Sequence, residues 1–187
     1  MTDDDFDGSL AAARAGDEAA FGRIWRWLHP SLLRWLAVAV RSDHEDVAAE
    51  VWMSVSRGLG TFVGGPDDFR GWVFTIARRR AVDQARRAAR RPRSAPLGDV
   101  DPIDAALPTV SYLEADGELA VVRELLGRLT ADQREVVVLR VVAGMTVGET
   151  ARFVGKSDVA VRVLCHRGLR ALAQHLAACD QVTGIPA

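Results

Sequence analysis

The stretch Thr146–Leu172, TVGETARFVGKSDVAVRVLCHRGLRAL, carries the local signals that decide the fold of the C-terminal part of the chain. Thr146 and Glu149 have the spacing of a capping box, which predicts a helix that begins directly after Thr146. Gly155 ends this short helix, and Ser157 caps a longer one that runs to about residue 178. Two helices joined by so short a turn have the spacing of a helix-turn-helix.

The longer helix is expected to separate an apolar face from a basic face. The apolar face would bury Val161, Cys165, Leu169, Leu172 and Leu176. The opposite face carries Arg162, His166, Arg167 and Arg170. The second helix of a helix-turn-helix enters the major groove of DNA, where its N-terminal residues contact base edges. The pattern therefore predicts DNA binding; the alternative is an ordinary helical hairpin with scattered surface arginines.

A second basic segment is Phe69–Arg93, FRGWVFTIARRRAVDQARRAARRPR, which holds eight arginines from Arg78 onward. As a helix it spans roughly 35 Å, about ten base pairs of duplex, so it can follow a phosphate backbone. Two arginine stripes are expected, one of Arg79, Arg86, Arg90 and Arg93 and the other of Arg80, Arg87 and Arg91. Phe69, Trp72 and Phe74 at its front predict stacking on unpaired bases, although Trp72 and Ile76 also fit a core.

Charge alternates in blocks, although the net charge of the 187 residues is only −1. Residues 1–68 hold 6 basic and 12 acidic side chains, and residues 69–93 hold 9 and 1. Residues 94–121 hold no basic and 6 acidic side chains, and residues 122–187 hold 9 basic and 6 acidic ones. Basic blocks suit phosphate, whereas an acidic block suits a basic protein partner. Solvated charged faces without a partner are the simpler explanation.

The remaining patterns predict an all-α protein. A first helix is expected over residues 9–28, with a possible break at Gly16–Asp17, and Pro30 is expected to begin a second helix that ends near Val40. SDHE at Ser42–Glu45 predicts a capping box for a third helix that ends near Gly58. Asp67 or Asp68 is expected to cap the basic helix, which Pro92 ends.

The C-terminal half is predicted to contain four helices. A fifth helix of the chain would cover residues 112–129, and TADQ at Thr130–Gln133 is a capping box before an apolar run that Gly144 ends. Residues 92–111 contain four prolines and no helical period, which indicates a flexible linker. The prediction is two small helical domains, residues 1–91 and 112–180, the second a four-helix domain with a helix-turn-helix.

Composition excludes several classes of protein. Half of the residues are hydrophobic, so wholesale disorder is not expected. No apolar run of about eighteen residues occurs, so no membrane insertion is expected. The acidic start of the chain argues against a signal peptide, and two cysteines make no disulfide framework. A soluble cytoplasmic protein is the expectation.

An acidic face is expected on the third helix. Asp43, Asp46 and Glu50 lie at helical spacing on one side, and Trp52 is nearby. An acidic face with a large aromatic side chain is typical of a docking site for a basic protein helix. A solvated face explains the same pattern.

Taken in order, these features resemble an alternative sigma factor of the extracytoplasmic-function (ECF) group, within the sigma-70 family. DHEDVAAEVWMSV (Asp43–Val55) is similar to the family's acidic pair followed by Glu and an aromatic residue. FRGWVFTIARRRAVDQARR (Phe69–Arg87) resembles its Phe-x-x-Trp helix with Ile-Ala-Arg. LTADQ to LRAL (Leu129–Leu172) resembles its terminal helix-turn-helix. The resemblance covers about residues 9–178.

The resemblance implies promoter-specific transcription initiation by a non-catalytic subunit of RNA polymerase. Asp46, Glu50 and Trp52 would bind the clamp helices of the polymerase β′ subunit, and the second domain would meet the β flap. The loop Thr61–Asp68 and the start of the basic helix would recognise the minus-10 element and hold melted strand. The residues implied at minus-10 are Phe69, Trp72, Arg78, Arg79, Arg80, Arg86 and Arg87. Those implied at minus-35 are Lys156, Ser157, Asp158, Arg162, Val163, His166 and Arg167.

The chain departs from the family pattern at three places. Arg79 stands where the family often has Asn beside a flipped minus-10 base. Val163 and Leu164 replace a serine and an arginine in the recognition helix, while Asp158 could accept a hydrogen bond from a cytosine amino group. Ala49 stands where Gln is common at the polymerase contact. Unusual promoter preferences are therefore expected, and inhibition by a separate anti-sigma factor is implied by the family.

Three other classes of function remain as alternatives. A stand-alone helix-turn-helix regulator would bind operators without polymerase, but it leaves the basic helix of the first domain without a role. A protein that only sequesters a partner has no use for that helix either. An enzyme is disfavoured because the four histidines form no nucleophile–base pattern and no glycine-rich phosphate loop occurs. Neither a cofactor nor a metal is expected, although His175 and Cys179 have i, i+4 spacing.

Overall fold

The structure, a computed structural model, describes residues 1–40, 43–90 and 117–183. The chain divides into two compact units, Met1–Ala105 and Ala106–Ala187, and each is described by itself. All regular elements in the described residues are helical, which confirms the predicted all-α class. The linker predicted over residues 92–111 lies outside the described residues.

The first unit contains four α-helices and one short 3-10 turn. Their bounds are α1 (Asp3–Arg14), α2 (Glu18–Ala39), α3 (His44–Gly58), the turn (Leu59–Thr61) and α4 (Pro66–Arg90). Asp17 caps α2 by accepting from the backbone N–H groups of Ala19 and Ala20, and Gly16 has a φ of 96°. The predicted break at Gly16–Asp17 is therefore confirmed.

A shared apolar core holds these four helices together. Large side chains that are completely buried come from every helix, namely Phe6, Ile24, Leu28, Leu32, Leu36, Val51, Val55, Phe69 and Phe74. Aromatic rings pack against each other in this core: Phe6 and Phe69 are tilted, with centroids 5.3 Å apart, and Trp35 and Phe74 meet edge to face with centroids 5.8 Å apart. Burying so many aromatic and aliphatic side chains is the main stabilising term of such a bundle.

The predicted helix start at Pro30 is wrong. Pro30 lies inside α2, which continues from Glu18 to Ala39. Proline removes one backbone hydrogen bond and usually interrupts a helix. Here the helix buries Ile24 and Leu28 before Pro30 and Leu32 and Leu36 after it, so tertiary packing outweighs the lost bond.

Two other helix starts differ from the sequence pattern. The basic helix α4 begins at Pro66, before the predicted caps, and the Asp68 carboxylate accepts from the backbone N–H of Gly65 over 3.2 Å. Proline fits the first helical position because its missing N–H has no partner there. For α3, the predicted capping residue Ser42 lies outside the described residues, and Asp43 precedes the helix with a φ of 61° and no side-chain capping bond.

The second unit contains four helices, as predicted for its described residues. Their bounds are α5 (Gly117–Gly127), α6 (Ala131–Val137), which continues as a π-helical segment (Val138–Val142), α7 (Val147–Val154) and α8 (Asp158–Thr183). Capping boxes form at Thr130 and at Thr146, so both predictions are confirmed. Gly144 follows the π-helical segment with a φ of 68°.

The apolar face of α8 differs from the predicted one. Val161 is completely buried, but Leu169 and Leu176 are 44% and 50% exposed, so their assignment to the core is wrong. The contact with α6 is made through Gly168 instead, where an added Cβ would lie 2.7 Å from Val137 Cγ2. Because glycine has no side chain, the two helices approach closely at this point, and the buried stripe of α8 follows Val161 and Gly168.

Within residues 1–40, 43–90 and 117–183, no helix combines the length and the apolar character that crossing a membrane requires.

Candidate nucleic-acid interface

The helix-turn-helix is built by three local devices. The Thr146 hydroxyl accepts from the backbone N–H of Glu149 over 3.2 Å and starts α7. Gly155 takes the left-handed conformation with a φ of 66°, which closes α7 and turns the chain. The Ser157 hydroxyl then accepts from the backbone N–H of Ala160 over 3.2 Å and starts α8. The predicted turn and cap are confirmed.

A small core fixes the position of α8 against α7. Val136, Ala151 and Val161 are buried together, and Val147, Val154, Leu164 and Cys165 pack against them. Because Val161 points into this core, the side chains on either side of it in the sequence point elsewhere. The recognition surface of α8 is therefore set by the burial of Val161.

The side chains predicted to contact the minus-35 element come from the turn before α8 and from its first turns, and most of them are accessible. Ser157, Asp158, Arg162, Val163, His166 and Arg167 are exposed, and Lys156 is half-buried. Two of the charges are partly satisfied within the unit. Lys156 Nζ lies 2.9 Å from Asp132 Oδ2 at the start of α6, and Arg162 lies 3.8 Å from Asp158 one helical turn away.

The basic helix α4 exposes part of its arginine set. Arg79, Arg86 and Arg87 are exposed, whereas Arg78 and Arg80 are half-buried. Arg80 lies 3.8 Å from the Glu50 carboxylate and donates to the Ser54 hydroxyl over 3.1 Å. The side chain of Arg90 and all of Arg91 and Arg93 lie outside the described residues, so the two predicted stripes are described only as far as residue 87.

The aromatic side chains at the front of α4 do not form an open stacking surface. Phe69 and Phe74 are completely buried, so the prediction that they offer faces to unpaired bases is wrong. They are core because α4 packs on α1, α2 and α3 along this face. Trp72 is half-buried and stacks on Phe62, with ring centroids 5.2 Å apart and an angle of 26° between the planes.

The loop that precedes α4 presents an accessible apolar side chain that the sequence patterns did not single out. Val63 is 90% exposed, while its neighbour Phe62 is buried against Phe69 and Trp72. Arg14 of α1 holds the start of the loop by donating to the carbonyl oxygens of Leu59 and Phe62. The loop is thus anchored at Phe62 and open at Val63.

The acidic face of α3 contains two of the three predicted protein contacts. Asp46 is exposed and Glu50 is half-buried, but Trp52 is buried. Trp52 donates its indole N–H to His29 Nδ1 over 3.1 Å and meets Phe21 edge to face. The direct contact predicted for Trp52 is therefore wrong in this fold, because its ring joins α3 to α2. Met53, which the sequence patterns did not single out, is exposed on α3.

His29 lies in an aromatic cluster between α2 and α3. Its ring stacks on Trp25, with centroids 4.1 Å apart and an angle of 18° between the planes. Burial lowers the pKa of His29 below its ordinary value of 6.5, and the nearby Glu45 charge opposes this effect. A neutral imidazole is also what the Trp52 hydrogen bond requires, because Nδ1 must accept.

The chain matches two family models over these surfaces. The model described as Sigma-70 region 2 matches residues 24–91, which include α3 and α4. The model described as Sigma-70, region 4 matches residues 119–172, which include the helix-turn-helix. Together the two matches cover more than half of the chain.

Several proteins similar to this chain are ECF RNA polymerase sigma factors. SigD of Mycobacterium tuberculosis is 33% identical, over 95% of this chain and 87% of that protein. BldN of Streptomyces coelicolor is 32% identical over 88% of this chain, which spans only 63% of BldN. SigX of Bacillus subtilis is 33% identical over 85% of this chain and 84% of that protein.

Solved structures of other proteins have a similar fold. CnrH, in complex with the cytosolic domain of CnrY, has a TM-score of 0.66 at 27% identity and covers 91% of this chain and 96% of its own. The sigma factor RpoE from Bartonella quintana, in complex with the anti-sigma factor NepR, has a TM-score of 0.61 at 22% identity, over 84% and 96% of the two chains.

Proposed function

This chain belongs to the ECF group of sigma-70 family RNA polymerase sigma factors, alternative sigma factors that direct transcription from specific promoters, and we propose how its surfaces divide that task. The observation that supports the proposal most directly is the exposed set of polar and basic side chains at the start of α8. It lies on the second helix of a capped helix-turn-helix, the element that enters the major groove.

The second unit binds the minus-35 element. Arg162 and His166 face the base edges, and Lys156, Ser157 and Arg167 bind the flanking phosphates. Asp158 accepts from a base amino group or holds Arg162 in place, since the two side chains are 3.8 Å apart. Contacts to phosphate fix the register of a protein on DNA, and contacts to bases give its specificity.

The first unit binds the minus-10 element and the melted strand. Arg79, Arg86 and Arg87 are the exposed cations among the α4 side chains that the structure describes, and they follow the phosphate backbone, with Arg78 and Arg80 at the edge of this surface. Trp72 and Phe69 act by fixing the loop that carries Val63 rather than by stacking on bases, because Phe69 is buried and Trp72 covers Phe62.

The acidic face of α3 binds core RNA polymerase. Asp46 and Glu50 provide charge for the β′ clamp helices, and the exposed Met53 adds apolar area. Trp52 positions this face by tying α3 to His29. The second unit meets the β flap. The chain acts in the cytoplasm as a non-catalytic subunit, and the chemistry of RNA synthesis belongs to the polymerase.

A separate anti-sigma factor is a further proposed partner. CnrH and RpoE, two of the structural neighbours, are each in complex with another protein, the cytosolic domain of CnrY and the anti-sigma factor NepR respectively. The exposed apolar side chains of both units, among them Met53, Leu169 and Leu176, provide contact area for such a protein.

Run-off transcription on a library of random promoters tests the proposal. Purified chain and bacterial core polymerase are combined, and each is also assayed alone. Transcripts that start downstream of a shared two-block sequence only when both are present are the expected result. If the chain binds a DNA sequence alone and core polymerase adds nothing, it is an operator-binding regulator and the roles given to the first unit are wrong.

A further inference from the structure

Two valines on the recognition helix are exposed although they belong to its first two turns. Val159 is 66% exposed and Val163 is 40% exposed, whereas Val161 between them is completely buried. Residues four apart lie on the same face of a helix, so Val159 and Val163 form one apolar pair. The apolar core of the unit takes Val161, Leu164 and Cys165 from this helix and leaves the pair outside.

The surroundings of this valine pair are polar and mostly basic. Asp158, Arg162, His166 and Arg167 are exposed around it, and Arg162 is held 3.8 Å from Asp158. Isolated exposed valines are common and need no explanation. A pair in the middle of a cationic surface is different, because the ligand that the cations attract must also cover the valine methyl groups.

The major groove contains one apolar group that suits this pair. Each base pair presents hydrogen-bond donors and acceptors there, and only thymine adds a methyl group, at C5. A valine that covers a base edge without this methyl group would bury donors or acceptors without a partner, which is unfavourable. Valine therefore favours thymine in two ways: it contacts the methyl group of thymine, and it disfavours the other bases because their donors or acceptors would be buried without a partner.

We propose that Val159 and Val163 determine minus-35 specificity by contacting thymine C5-methyl groups in the major groove. The inference rests on the proposed function, since it requires α8 to lie in that groove. Arg162 and His166 supply hydrogen bonds beside the pair, and the valines select A·T pairs at one or two adjacent positions. The minus-35 element of this sigma factor then contains at least one thymine, on either strand, that is recognised through its methyl group.

Deoxyuridine, which lacks only the C5-methyl group, tests this directly. The minus-35 element found in the promoter library is resynthesised with each thymine in turn replaced by deoxyuridine, on each strand. The holoenzyme of core polymerase and full chain is then assayed for promoter binding and for run-off transcripts. Wild type is compared with Val159→Ala and Val163→Ala. Val141→Ala is the matched control, because Val141 is 57% exposed but lies on the π-helical segment outside α8.

With wild-type holoenzyme, we expect deoxyuridine at one or more positions to weaken promoter binding by about fourfold. This factor corresponds to the free energy of burying one methyl group. Val159→Ala or Val163→Ala should reduce binding to the thymine promoter by a similar factor and show no further loss at that position with deoxyuridine. Val141→Ala should behave like wild type at every position.

Equal deoxyuridine losses in wild type and both valine variants would overturn the inference, as would no loss at any position or a minus-35 element without A·T pairs. In each case normal transcription from the thymine promoter would leave the proposed function intact. If the thymine promoter itself gives no polymerase-dependent transcript, the proposed function fails and the inference falls with it.

Discussion

Arg80 of α4 lies 3.8 Å from the carboxylate of Glu50 on α3. The ion pair joins a side chain proposed to bind promoter DNA to one proposed to bind polymerase. Arg80 also donates to Ser54 on the same helix as Glu50. Both members of the ion pair are partly exposed, so it contributes little to stability, but it determines where the Arg80 charge is held in the free protein.

Glu50→Gln should release Arg80 toward DNA. We expect the isolated chain to bind non-specific duplex about twofold to threefold more tightly, with a salt dependence steeper by up to about one phosphate contact. Fluorescence anisotropy over a series of salt concentrations measures both. Asp46→Asn is the matched control, because it removes the same charge from an exposed position of the same helix. Equal effects of the two substitutions would show that only net charge matters.

Arg86 and Arg87 should act on all promoters, whereas Arg162 should act on one promoter position. Changing both Arg86 and Arg87 to Glu should weaken promoter opening broadly and lower the salt slope by about two, since each exposed arginine neutralises roughly one phosphate. Arg162→Ala should cost roughly 1–3 kcal/mol at one minus-35 position and leave other positions unaffected. Holoenzyme titrations on single-position promoter variants measure these effects. The assignment of the two surfaces is wrong if both changes affect every promoter equally.

The burial of His29 should make the stability of the first unit depend on pH. Burial lowers the pKa of His29 below 6.5, so the unfolded chain takes up the proton first as pH falls. The contribution of His29 to the free energy of unfolding is therefore fully present above about pH 7 and is lost as pH falls through 6.5 toward the lowered pKa. The Glu45 charge, which favours the imidazolium, reduces this effect without reversing its sign.

His29→Phe is the control for that pH dependence. Phenylalanine keeps a flat ring beside Trp25 but cannot titrate and cannot accept from Trp52, which should cost about 1 kcal/mol at neutral pH. Urea unfolding followed by tryptophan fluorescence at a series of pH values gives both curves. We expect the difference between wild type and variant to shrink as pH falls. If the difference in the free energy of unfolding between wild type and variant stays constant with pH, groups other than His29 cause the pH dependence.

Gly168→Ala should destabilise the second unit alone. The new Cβ would lie 2.7 Å from Val137 Cγ2, and the overpacking of about 1–3 kcal/mol exceeds the gain in helix propensity of about 1 kcal/mol. All five tryptophans, at positions 25, 27, 35, 52 and 72, lie in the first unit. Thermal unfolding of the variant, followed by circular dichroism, should therefore show that the second unit unfolds at a lower temperature than in wild type. The unfolding curve followed by tryptophan fluorescence, which reports only the first unit, should not change.

Gly148→Ala is the comparison for the overpacking argument. Gly148 lies in α7 of the same unit, and an added Cβ there has nothing within 4 Å. This substitution should leave the second unit as stable as wild type or slightly more stable. If both alanine variants destabilise equally, the close approach of α6 and α8 at Gly168 is not the cause.

Signals that act within a few residues were predicted well from the sequence. Thr130, Thr146, Gly155 and Ser157 each form the cap or turn expected of them, because the partners of those bonds lie within about four residues. The prediction at Pro30 is wrong for the opposite reason. Its local preference is for a helix start, but the burial of Leu28 and Leu32 on either side depends on helices distant in sequence.

The exposure of individual side chains could not be predicted as reliably. In the sequence, Phe69 is close to arginines and Trp52 is close to acidic residues, which predicts that both lie at binding surfaces. In the structure, both side chains are buried. Helical spacing predicts that Leu169 lies in the core, but the close contact at Gly168 sets a different face of α8 inward. The position of Gly168 in the middle of an amphipathic helix is the sequence signal for that contact.

The ion pair between Lys156 and Asp132 has a chemical consequence beyond recognition. Lys156 is the only lysine in the chain, so its Nζ, 2.9 Å from Asp132 Oδ2, is the only side-chain amine. Acetylation or any amine-selective reagent would modify one side chain at the turn between α7 and α8 and no other. Acetylation would cancel the charge that pairs with Asp132, and protection of this amine by bound promoter would report occupancy of the turn without any engineered label.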